Sequence, residues 1–196
     1  MTERKATVNR ETAETNVKVE LNIDGSGQFQ ITTNIKIFDH FLAQLAQHGL
    51  FNVKISASGT DQHHVVEDVA ISLGKAFNQA LGKKQGIVRM AQAIVPMDEA
   101  LAMVVVDIGG RVYSVIETAF NRATIGDLDA DLVRHFLVSF SSEARINLHA
   151  KIISGINDHH KAEALFKAFG RALDTATRID ERILGRVPST KEVIEG

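Results

Sequence analysis

The stretch DQHHVVEDVAISLGKA starts at Asp61, and 96 residues later NDHHKAEALFKAFGRA starts at Asn157. In register, His63 falls on His159, His64 on His160, Glu67 on Glu163, Gly74 on Gly170, Ala76 on Ala172 and Ala80 on Ala176. A second repeated element lies upstream of each copy: His40-Phe41-Leu42 precedes the first doublet by 23 residues and His135-Phe136-Leu137 the second by 24. This unit, H-F-L followed by HHxxE, takes in six of the eight histidines. A chain that writes one spacing twice is constrained to build one motif twice, so the two halves must share an architecture.

Local patterning says what that motif is. Val17, Val19, Leu21 and Ile23 alternate with polar residues, DGSG turns the chain, and Phe29 and Ile31 resume the alternation, which predicts a hairpin. From about Ile37 the spacing becomes helical through Phe38, Phe41, Leu42, Leu45 and Ala46, with Gly49 placed as a C-terminal cap. FNVKISASG reads as a short strand, and Asp61 as the N-cap of a helix carrying Val65, Val69, Leu73 and Phe77. The second half repeats the order. ALAMVVVDIGGRVYSVIET gives two strands around Gly109-Gly110, followed by a helix through Phe136 and Phe140 and then a strand in INLHAKIISG. A last helix runs from near His159 toward Leu184, and the tail VPSTKEVIEG is irregular. The expected fold is α+β, with pseudo-symmetric repeats over residues 1–85 and 86–196. No low-complexity linker separates them, which predicts halves packed into one compact unit.

Composition narrows the function. With 44% hydrophobic residues in a chain of 196, a substantial core is available. A net charge of −2 without a long basic run gives no general grip on nucleic acid or an anionic membrane. Cysteine is absent, which excludes disulfides, thiolate metal sites and zinc fingers. The stretch MTERKATVNRETAETNVKVE lacks the apolar core of a signal peptide, and no apolar run has membrane-spanning length, so the expectation is a soluble cytoplasmic protein.

A lone histidine is ordinarily packed or solvated, but a helix needing only packing would not place a His doublet in its first turn twice with the same carboxylate spacing. Residues three apart share a helix face, so His64 with Glu67, and His160 with Glu163, are expected to offer an imidazole and a carboxylate to one point. His63 and His159, rotated by roughly 100° from their neighbours, would then serve a different ion. Symmetry would give each of two ions a His-Glu pair, the first His of the other doublet, and one of His40 or His135. Imidazole with carboxylate and no sulfur suits octahedral Mn(II) or Fe(II), with Zn(II) also accommodated and two positions left open for chemistry.

These residues, in the stretches RETAET, FDHFLAQLAQHG, HHVVEDVAISLG, PMDEALA, DIGGR, HFLVSF, NDHHKAEALFKA and PSTK, make the chain resemble the imidazoleglycerol-phosphate dehydratase family over nearly its whole length. The resemblance implies a duplicated fold like the second domain of ribosomal protein S5, two Mn(2+) per active site, and a cage of 24 subunits with sites between subunits. It implies that His40, His63, His64, Glu67, His135, His159, His160 and Glu163 are the metal ligands. It places Arg89, Arg111, Lys167, Ser189 and Lys191 around a substrate phosphate, makes Glu14 the acid and base, and lines the site with Gln44 and Asp98. The implied reaction dehydrates a phosphorylated imidazole, imidazole glycerol phosphate, through an imidazolate and a diazafulvene-like intermediate. Two departures stand out: Gln62 occupies a position that is often acidic in the family, and the approach SASGTDQHH is shorter than usual. Judged without the resemblance, the ligands alone also fit a di-metal phosphoesterase or a metal-storing cage.

Overall fold

The computed structural model describes residues 4–194 and shows the duplication directly. The first half runs β1 (Lys5–Glu11), β2 (Thr15–Asn22), β3 (Phe29–Thr32), α1 (Lys36–Gly49), β4 (Asn52–Gly59) and α2 (Gln62–Leu81). The second runs β5 (Met90–Met97), β6 (Ala100–Asp107), β7 (Tyr113–Glu117), a short ribbon of β8 (Thr124–Ile125) and β9 (Leu128–Asp129), α3 (Asp131–Ala144), β10 (Asn147–Ser154) and α4 (Asp158–Thr177). The sheets are ordered β1-β2-β4-β3 and β5-β6-β10-β7, the same topology twice.

DGSG does not close a hairpin. β4 lies between β2 and β3, antiparallel to the former and parallel to the latter. Val17, Val19 and Leu21 face Ala57, Ile55 and Val53, so inward apolar residues meet across that pair, whereas β3 offers only the half-buried Ile31 at the sheet edge. The second half makes the same correction: β6 and β7 flank β10 instead of pairing around Gly109-Gly110. The true hairpins are β1–β2 and β5–β6. Their outer strands escape a reading by pattern because β1 has few large apolar residues and two of those in β5, Met90 and Ile94, face outward.

Two helix ends also differ. Leu50, with φ 56°, caps α1, and Gly49 is the last helical residue. Its missing side chain serves packing, since a Cβ there would lie 2.7 Å from the Phe51 ring. α4 stops at Thr177, short of Leu184, and a 3₁₀ turn at Glu181–Ile183 follows. The tail is irregular through residue 194, and its last two residues, 195 and 196, lie outside the described residues.

Each helix pair lies on the inner face of its own sheet, while the helices pack across halves, α1 on α4 and α2 on α3. One hydrophobic core results, in which Phe41 stacks on Phe166 at 5.2 Å and Phe38 meets Phe136 edge-on at 5.5 Å. The repeated glycines allow this contact. A Cβ at Gly74 would sit 2.6 Å from the Phe140 carbonyl oxygen, and one at Gly170 would sit 2.5 Å from that of Leu45. Backbone cannot yield as a side chain tip can, so Gly74→Ala and Gly170→Ala should each destabilise by about 1–3 kcal/mol, the range for overpacking. Thermal or denaturant melting of chelated protein checks this, and a gain in stability, as expected for Gly→Ala in an ordinary exposed helix, would contradict it.

Candidate metal centre

The H-F-L element sets helix rotation. Phe41 with Leu42, and Phe136 with Leu137, are fully buried, which leaves His40 and His135 only partly covered at the edge of the helix layer. The doublets are fixed by caps. The Asp61 carboxylate accepts from the His64 backbone N–H at 2.9 Å, and the Asn157 side-chain oxygen accepts from that of His159 at 2.9 Å.

Because α1 packs on α4 and α3 on α2, each group draws on both repeats: His40, His159 and Glu163 form one, and His135, His63 and Glu67 the other. In the first, His40 Nε2 and His159 Nε2 both lie 3.0 Å from Glu163 Oε2. In the second, the His63 and His135 rings stack at 4.7 Å, with Glu67 oxygens 4.0 and 3.7 Å from their Nε2 atoms. The carboxylate thus pairs with the first histidine of the doublet, four residues away, and not with the second. Residues four apart on a helix differ by only ~40° against ~60° for three apart, and the second histidine, ~100° further round, is engaged by Asp61 in the first half and by Glu99 in the second.

His64 and His160 turn toward the hairpin tips. His64 Nδ1 is 3.0 Å from Asp61 and its Nε2 3.5 Å from Glu14, while His160 Nδ1 is 2.8 Å from Glu99 and its Nε2 3.7 Å from Asp98. The rest of RETAET supports this placement: Arg10 at 2.7 Å and Thr15 both bind the buried Asp68 of α2, which pins the β1–β2 hairpin carrying Glu14. Gln44 lies one turn after His40 on α1. Gln62 spends its amide oxygen on the Asp129 N–H at 2.9 Å, tying the start of α2 to the β8–β9 ribbon.

Burial pushes the Glu163 carboxyl up, but hydrogen bonds from Lys167, at 2.6 Å, and from His40 and His159 outweigh it and hold it at about 2. Glu99 is also held at about 2, first by the Asn157 backbone N–H and then by His160. His160 in turn is raised by its hydrogen bond to Glu99. His135 Nε2 is buried without a hydrogen-bond partner among the described residues. An orphaned imidazole nitrogen beside a second imidazole and a carboxylate matches a cation site, and the nitrogen and oxygen donor set without sulfur fits Mn(II).

A separate cleft of about 770 Å³ gathers Arg89, Arg111, Ser189 and Lys191 with Arg186. Arg89 is clamped by both Asp107 oxygens, at 2.7 and 3.1 Å, and donates to the Pro188 carbonyl at 2.7 Å. Lys167 is not in this cleft; it lies beside Glu163 and Met97. Sequence reasoning missed Asp107, Glu99 and Asp68. Their only signal is position: each is an acid within a stretch that carries the resemblance, DIGGR, PMDEALA and HHVVEDVAISLG. No helix among the described residues is long and apolar enough to cross a membrane.

A family model described as imidazoleglycerol-phosphate dehydratase matches residues 33–173. An imidazoleglycerol-phosphate dehydratase of Dehalococcoides mccartyi (strain ATCC BAA-2266 / KCTC 15142 / 195) is 56% identical over 195 residues, covering 100% of both chains. One from Halobacterium salinarum is 50% identical, over 97% of this chain and 98% of that one. Among solved structures, the Staphylococcus aureus dehydratase superposes with TM-score 0.83 at 32% identity, over 90% of this chain and 99% of that one. The Pyrococcus furiosus enzyme, in complex with (S)-C348, gives 0.83 at 35%, over 95% and 99%. The family model over residues 33–173, a relative 56% identical over the whole chain and the shared duplicated α+β fold place the chain in the imidazoleglycerol-phosphate dehydratase family, hydro-lyases of histidine biosynthesis.

Proposed function

We propose that the chain dehydrates D-erythro-imidazole glycerol phosphate to imidazole acetol phosphate in the cytoplasm, with two Mn(II) ions per active site. The paired groups His40, His159, Glu163 and His63, Glu67, His135 carry this reading. His64 and His160, turned away from both groups of their own chain, supply the fourth ligands to neighbouring copies. Cations held by these residues would supply the Lewis acidity that eases ionisation of the substrate ring.

The chain's own residues do the rest. Arg89, Arg111, Ser189 and Lys191 bind the phosphate through charge-assisted hydrogen bonds and hold the carbon chain in register. Glu14 collects the proton from the carbon next to the departing hydroxyl and returns one as the enol becomes the ketone. Gln44 and Asp98 line the ring pocket.

Distance supports a site shared between copies. The Arg89 backbone donates to Ala176 near the end of α4, thirteen residues beyond Glu163, about 20 Å along the helix. A three-carbon chain between ring and phosphate does not span that gap. This separation supports a site whose phosphate cleft and metal group come from different subunits, and with it a closed homo-oligomer, the 24-subunit cage. Lys167, on the metal face, meets the phosphate where the neighbour's cleft arrives. The repeats over residues 1–85 and 86–196 act as one folding unit, a reading supported by helix packing across the halves.

Incubating the chain with imidazole glycerol phosphate and Mn(II) tests the assignment, with the enol-derived ketone as the expected product. Release of inorganic phosphate from simple phosphomonoesters would instead identify a di-metal hydrolase, and metal uptake without turnover a storage cage.

A further inference from the structure

His64 and His160 occupy equivalent places in the two halves, and each has a carboxylate against Nδ1, but the carboxylates have different origins. For His64 it is the helix cap: one Asp61 oxygen accepts from the His64 backbone N–H at 2.9 Å and the other lies 3.0 Å from Nδ1. In the second half the cap is an amide, Asn157, whose oxygen is taken by the His159 N–H. The carboxylate at His160 comes from Glu99, 61 residues away at the tip of the β5–β6 hairpin, with Oε2 2.8 Å from Nδ1. Glu99 Oε1 meanwhile accepts from the Ile156 and Asn157 backbone N–H groups, at 3.1 and 2.8 Å. One carboxylate thus anchors the loop leading into α4 and faces the imidazole.

An ionised carboxylate only accepts, so the ring nitrogen it faces carries the proton, and in the neutral ring the other nitrogen keeps its lone pair. We infer that Glu99 is a positioning residue for metal binding, fixing His160 as the Nδ1–H tautomer and presenting Nε2 as the donor. It replaces from a distant hairpin what the Asp61 cap supplies in the first half. The inference rests on His160 being a ligand.

The competing role is loop anchoring alone, and two variants separate them. In Glu99→Gln the amide oxygen can still accept from Ile156 and Asn157, while its NH₂ turns to Nδ1. A donor there drives the ring proton to Nε2, the wrong tautomer for a ligand. The readouts are Mn(II) affinity, from the electron paramagnetic resonance of free Mn(II), and the melting midpoint of the chelated full-length chain. Glu99→Gln should keep the midpoint and weaken one class of site by roughly 10–100-fold, as losing the partner of a ligating imidazole does. Glu99→Ala should lower both, and His160→Ala should weaken the same class. Wild-type affinity in Glu99→Gln, with metal lost in His160→Ala, overturns the inference alone. Full affinity in His160→Ala overturns the ligand reading and the inference together. A Glu99→Gln affinity loss that merely tracks a lowered midpoint, and returns on cooling, assigns Glu99 to the loop only.

Discussion

Removing divalent metal with a chelator should abolish dehydratase activity and shrink the particle together, and adding Mn(II) should restore both. Each group of one chain provides two imidazoles and a carboxylate, and the remaining imidazoles of the doublets face away from it. If a neighbour's histidine completes each ion, as proposed, coordination energy becomes association energy. Sedimentation of chelated and reloaded samples, with metal content measured, checks this. A chelated sample proven free of metal that keeps its size would contradict interfacial metal sites, and one that keeps its activity would contradict metal-dependent dehydration.

Glu163→Gln should have the largest effect of any single substitution in the first group. Its carboxylate oxygen is shared by His40 and His159 in a nearly buried position, and an amide there cannot supply the anion that the cation needs. Metal affinity should fall by more than the roughly 10–100-fold typical of losing a residue that merely supports a ligand, and turnover should fall with it. Lys167→Ala is the contrasting case. It removes a cation 2.6 Å from Glu163 and, on the proposed assignment, a charge-assisted phosphate contact, so metal content should persist while about 1.5–3 kcal/mol of substrate binding is lost, chiefly as a raised KM. Metal stoichiometry and kinetics on both variants decide this. Metal loss in Lys167→Ala, or retention in Glu163→Gln, would refute the division of roles.

Much of the fold was legible because the sequence states it twice. Periodicity located the helices, and the repeat forced both halves into one topology. Strand partners were not legible: alternation marks a strand but not its neighbour, and β4 takes the place beside β2 only because their inward residues match once α1 has intervened. β1 and β5 escaped because Ala6, Val8, Ala91 and Ala93 bury little surface. The histidines and glutamates were visible as a set, yet their grouping was not. It depends on helix packing across halves, which joins His40 to His159 and His135 to His63, and on the carboxylates Asp61 and Glu99 that engage the second histidine of each doublet. Supporting acids such as Glu99 and Asp107 have no periodic signature, since each acts on a residue brought near only by the fold.

One active site is proposed to take its metal group and its phosphate cleft from different subunits, and mixing two inactive variants tests this sharing. Glu163→Gln damages a metal group and spares the cleft, while Arg111→Ala damages the cleft and spares the metal group. Each variant is dissociated with chelator, the two are combined, and Mn(II) is added back. Hybrid particles should regain dehydratase activity, because some sites then pair an intact metal group from the Arg111→Ala chain with an intact cleft from the Glu163→Gln chain. Mixtures that reassemble to full size and stay as inactive as the separate variants would contradict a site shared between subunits.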